Sequence, residues 1–123
     1  METPIHQDPR FRAGVEAYNR GDFSEAGEVF EDLFFEAVRD EVEFVRVFLQ
    51  LSTGAHHVER GQIRAAMERL EEALLAIDRV TDSRGWDFAA LRRGIAAAIP
   101  QIEQRFRDRT GAIEWPHLDL RVR

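Results

Sequence analysis

Gly21-Asp22-Phe23-Ser24-Glu25-Ala26-Gly27-Glu28-Val29-Phe30-Glu31-Asp32-Leu33-Phe34-Phe35 is the stretch around which the chain is organised. It opens with a turn and continues as a helix starting at Ser24 or Asp22. Asp22 and Glu25 lie near the positive end of the helix dipole. Ala26, Val29, Phe30, Leu33, Phe34, Ala37 and Val38 follow the 3.6-residue period, so one face is apolar. Glu28 and Glu31 fall on a neighbouring stripe.

Outward from this stretch the same period recurs. Asp8-Pro9 is a helix start, with Asp8 as cap and Pro9 at the first position. The first helix covers about Pro9 to Arg20, with Phe11, Val15 and Tyr18 in line, and Gly21 stops it. A third helix, Glu41 to Glu59, is apolar on more than one face and is expected at the centre. A fourth, Gln62 to Val80, has one clean stripe from Ile63 to Ile77. Thr81-Asp82-Ser83-Arg84-Gly85 is a loop. Asp87 caps a fifth helix, Phe88 to Asp108, which Pro100 is expected to kink or split. The tail, Ile113 to Arg123, is expected to pack back as an extended segment; a short strand or partial disorder are the other readings of it.

A length of 123 residues predicts one domain, 1–123, large enough for a core without staples. There is no cysteine, which excludes disulfides and thiolate metal sites. No signal peptide and no membrane span are expected, so the location expected is cytoplasmic. The net charge of −6 argues against a nucleic-acid footprint. All 17 basic residues are arginine and lysine is absent. GC-rich coding is one explanation and adaptation to high salt the other; the acidity is too mild to select the second. Arg92, Arg93, Arg105, Arg107 and Arg109 form a local basic cluster, diluted by Glu103 and Asp108, and read as a solvated face.

Two segments align at an offset of 40: Gly14, Gly21, Phe23, Ala26, Phe30 and Leu33 with Gly54, Gly61, Ile63, Ala66, Leu70 and Ala73. Small residues allow close approach, glycine makes the turn, and a large apolar residue fills the groove beyond. The pattern resembles the tetratricopeptide-type helical hairpin. The expected fold is therefore an all-α, single-domain helical bundle: two stacked helical hairpins, a fifth helix and an extended C-terminal tail.

A second resemblance rests on Phe11-Arg12-Ala13-Gly14, Tyr18 to Ala26, Glu28, Glu31, Phe48 to His57, Arg60-Gly61-Gln62, Ala65-Ala66, Gly85-Trp86-Asp87 and Leu91. Over about 11–91 the chain resembles the domain-of-unknown-function 309 family of small helical proteins. That family's hallmark is a histidine, a glutamate four residues on and a tryptophan four beyond. The corresponding positions here are Gly27, Glu31 and Phe35, so only the glutamate remains. Gln50 and His57 match the next helix of relatives, and Arg46 stands where they have a glutamine. The resemblance implies a fold and no activity.

The polar residues Glu28, Glu31, Gln50 and His57 are the candidate site. Each pair shares a helix face, three and seven residues apart. Their expected role is a hydrogen-bonded cluster that fixes packing. The alternative is a divalent-metal site on Glu28, Glu31 and His57, serving metal binding or metal-dependent catalysis. Adjacent His56 and His57 point about 100° apart and do not share one metal. His6 and His117 carry no spacing signal. Phe34, Phe35 and Phe44 are more aromatics than a small core needs; an exposed remnant would serve a homodimer or a protein partner. The function expected is a non-catalytic interaction or scaffold module with no cofactor.

Overall fold

The computed structural model describes residues 3–120 of the chain. A 3₁₀ turn, Ile5–Gln7, precedes five helices: α1 (Pro9–Asn19), α2 (Phe23–Glu36), α3 (Glu41–Glu59), α4 (Ile63–Arg79) and α5 (Phe88–Asp108). Among the described residues there is no strand. Each helix packs on its chain neighbour, α1 on α2, α2 on α3, α3 on α4 and α4 on α5. The two predicted hairpins are thus α1–α2 and α3–α4, joined through α2 and α3. One apolar core runs from Ile5 to Leu118.

The centre of that core is aromatic. Phe11, Phe30, Phe44 and Phe48 are fully enclosed. Phe11 and Phe48 meet edge to face at 5.0 Å, and Trp86 closes over Phe48 at 4.9 Å. Phe44 is therefore core, while Phe34 is half-buried and Phe35 lies in solvent. The central position expected for α3 holds: ten of its residues are buried.

Two boundaries depart from expectation. The apolar stripe of the second helix continues to Val38, yet α2 ends at Glu36. Ala37 is extended, Arg39 has φ of 55°, and the Glu41 carboxylate accepts from the Val38 N–H at 3.1 Å. That local capping of the α2–α3 corner outcompetes another helical turn. The fifth helix is not split at Pro100: α5 runs through it as one helix. Pro100 and Ala96, whose carbonyl loses its partner, are both exposed, so the freed oxygen lies on the wet side.

The offset of 40 is physical. A Cβ on Gly14 would lie 2.8 Å from the Phe30 ring, and one on Gly54 would lie 2.8 Å from Leu70. Both turns have the same hydrogen bonds, Gly21 N–H to Tyr18 and Gly61 N–H to Val58, then Asp22 to Ala17 and Gln62 to His57. Gly21 and Gly61 adopt φ of 85° and 72°, which only glycine reaches without strain.

The structure also extends the repeat to a third, partial unit. Phe11, Leu51 and Leu91 are buried alike, as are Val15, Ala55 and Ile95, and Tyr18, Val58 and Ala98. Gly94 follows Gly14 and Gly54 at the same step. Where the first two units place the turn glycine, the third has Gln101, so α5 continues to Asp108. Among the described residues no sixth helix follows. A Cβ on Gly94 would lie 2.6 Å from Pro116 of the extended tail, which takes the place that Phe30 and Leu70 hold in the other units.

Candidate functional site

The structure does not link the four predicted polar residues to one another. Glu28 and Glu31 are exposed on the outer side of α2. Gln50 is buried on α3, and its side-chain oxygen accepts from Arg69 of α4 at 3.4 Å. His57 Nδ1 lies 2.7 Å from the Gln62 side-chain oxygen, across the second turn. The helix faces that carry Gln50 and His57 turn toward α4, whereas Glu28 and Glu31 turn outward. Among the described residues, no group of three or more His, Asp or Glu side chains is placed to hold a metal ion.

The remaining histidines are dispersed. His56 and His57 stand 6.4 Å apart between ring centroids. His6 packs edge-on to Phe44, and desolvation, with Arg84 nearby, holds its pKa below the usual histidine value. His117 lies 3.9 Å from Asp119 on the surface. Of the arginine cluster, Arg92 forms a two-pronged pair with Asp78 at 3.0 Å, which holds that carboxyl below its usual range.

Two features of α3 carried no sequence signal. Ser52 is fully buried, and neither its Oγ nor the Nδ1 of His56 one turn on finds a hydrogen-bond partner among the described residues. Such atoms are visible only when the neighbours are known.

The α2–α3 corner has a different character. Phe35 is 78% exposed and Val38 55% exposed. Phe34 lies beside them beneath the Arg46 guanidinium, 4.9 Å from the ring centroid. Glu28, Glu31 and Asp32 continue the same outer face of α2 as exposed carboxylates. An acidic strip therefore runs into an uncovered aromatic.

Residues 11–69 match the family model described as domain of unknown function (DUF309). Over those residues the chain is similar to that family, which supports the resemblance read from the sequence. The further resemblance at Gly85-Trp86-Asp87 and Leu91 lies beyond the matched residues. No curated protein and no solved structure matches the chain.

Within the matched segment the hallmark positions can now be placed. Gly27 is buried, and a Cβ there would lie 3.2 Å from the Thr53 methyl. A side chain at that position would press on the Thr53 methyl, so glycine there goes with the close α2–α3 contact. Glu31 and Phe35 are at the surface. In this chain the hallmark stripe is thus divided between a packing residue and two solvent-facing ones. No helix of the described residues is long and apolar enough to cross a membrane.

Proposed function

We propose that this protein is a non-catalytic interaction module whose contact surface is the outer face of α2, from Glu28 to Val38. The observation that supports this reading is Phe35, a large aromatic left 78% exposed beside Val38 and flanked by carboxylates. A single exposed apolar residue needs no explanation; adjacent ones rimmed by charge are the usual mark of a contact site. The acidic strip favours a partner that offers an apolar pocket bordered by basic side chains. The work is proposed for the cytoplasm.

A photo-crosslinking amino acid at position 35, in the organism that makes the protein, tests the reading. The expected result is a discrete adduct with one protein, lost when Glu31 and Asp32 are both replaced by arginine. Absence of any adduct at position 35, with crosslinking no different from that at an exposed helix position such as Arg93, would sink the proposal.

A further inference from the structure

We propose that the seat of the C-terminal tail is a docking site for an extended peptide from a partner protein, closed in cis by residues 113–120. It lies about 18 Å from Phe35, at the other end of α2, and does not rest on that surface.

The tail is held as a ligand is held. It makes no backbone–backbone hydrogen bond to the rest of the molecule among the described residues. Its main chain is gripped instead by side chains, at alternate residues. Gln101 of α5 accepts from the Glu114 N–H at 2.7 Å. Tyr18 donates to the Pro116 carbonyl at 2.7 Å. Asn19 takes both main-chain groups of Leu118, donating to its carbonyl at 2.7 Å and accepting from its N–H at 2.9 Å. These four bonds read peptide backbone and are indifferent to its sequence. Burial keeps the Tyr18 phenol protonated well beyond its usual range, so the donor is permanent.

Sequence is read between these clamps. Trp115 packs on Phe23 at 5.7 Å, Pro116 fills the bed left by Gly94, and Leu118 is 1% exposed. The seat therefore accepts the pattern aromatic-proline-any-aliphatic in an extended conformation. Main-chain bonds for affinity and alternate pockets for specificity are how extended peptides are recognised. The clamps occupy diverged positions of the repeat. Tyr18 and Asn19 correspond to Val58 and Glu59 in the second unit, and Gln101 to the turn glycines. The repeat pattern calls for none of the three, although Tyr18 is itself a core residue packed on Phe23. The tail is tethered through exposed residues 109–112, with positive φ at Arg109 and Gly111, and so is free to leave without unwinding α5.

A labelled peptide with the sequence of residues 111–120 tests this on the full chain. Wild type should bind it weakly, because the tethered tail competes at high effective concentration. Full-length Trp115→Ser/Leu118→Ser should bind it on the order of 10- to 100-fold more tightly, the factor by which the free seat is under-populated in wild type. Adding Asn19→Ala should remove about 10-fold or more of that gain, and a scrambled peptide should not bind. Equal affinity of wild type and the tail variant, with helicity intact, would overturn the proposal, as would indifference to Asn19→Ala. Should the tail variant fail to fold, wild type carrying fluorotryptophan answers the same question. Millimolar peptide should shift the Trp115 resonance to a solvent-exposed value, and no shift overturns the docking site. A tail-exchanged dimer in sedimentation would overturn the assignment to a partner protein.

Discussion

The two hairpin turns have the same backbone and do different things. Arg20-Gly21-Asp22 and Arg60-Gly61-Gln62 share hydrogen bonds and dihedral angles. Around the first, Asp22 caps α2 by accepting from the Glu25 N–H at 3.3 Å, Arg20 pairs with Glu25, and Tyr18, Asn19 and Phe23 hold the tail. Around the second, Gln62 makes no side-chain cap bond and meets only His57. The shared positions build the fold. The positions where the copies differ carry what is particular to this protein.

The sharpest way to break the comparison is at the crossing glycines. Gly14→Val drives a side chain into Phe30, which is locked between Phe11 and Phe48, and should cost about 3 kcal/mol. Gly54→Val meets the end of Leu70, which can turn aside, and should cost about 1–2 kcal/mol. Urea melts of both variants measure the difference; equal costs would mean that the Phe30 ring yields as easily as Leu70. Next come the tail anchors. Leu118→Ala should lose about 2–3 kcal/mol and Asn19→Ala about 1–2 kcal/mol. Glu59→Ala, the same position in the second unit, should stay within about 0.5 kcal/mol.

Two tests sharpen the likeness itself. Gly21→Ala and Gly61→Ala have open space around the new methyl and differ little in φ, so each should cost about 1 kcal/mol. Unequal thermal shifts would show that the turns are not equivalent. Asp22→Ala should cost about 1 kcal/mol and Gln62→Ala a few tenths, because only the first is a cap.

The smallest effect is electrostatic. Arg10 joins Asp8 and Glu36 at the open end of the first hairpin, where the second has Gln50 and Ala76. Hydrogen bonds from Arg10 lower the pKa of both carboxyls. Their contribution is therefore present above the ordinary values of 3.8 and 4.5, and is lost as pH falls through the lowered folded values. Arg10→Ala should flatten that part of the stability-against-pH curve, measured below about pH 4.5.

The sequence carried the helices, because each has a periodic stripe and a glycine or an aspartate at its ends. It carried the hairpins, because Gly14 and Gly54 lie 16 residues before Phe30 and Leu70. The third unit was not legible. Its turn glycine is Gln101, and its groove is filled by Pro116 rather than by a helical residue. The polar site was misleading for a related reason. Spacing along a helix tells which residues share a face, and it does not tell which neighbour that face meets. Gln50 and His57 share a face that belongs to α4. The tail clamp was invisible because Tyr18 and Asn19 lie 98 and 99 residues from the atoms that they bind.

That separation has a consequence for the order of assembly. Each hairpin closes across a turn of a few residues, whereas the tail seat closes across most of the chain. Contacts between near neighbours form early, and those that enclose long loops form late. Folding should therefore reach a stage in which the four hairpin helices are in place while Phe23 and the bed at Gly94 are still wet. The same region should be the first to exchange its amides from the folded state, since it opens without unwinding any helix. The groove between α1 and α5 is thus the part of the molecule that exists longest in the uncovered form, both on the way in and on the way out.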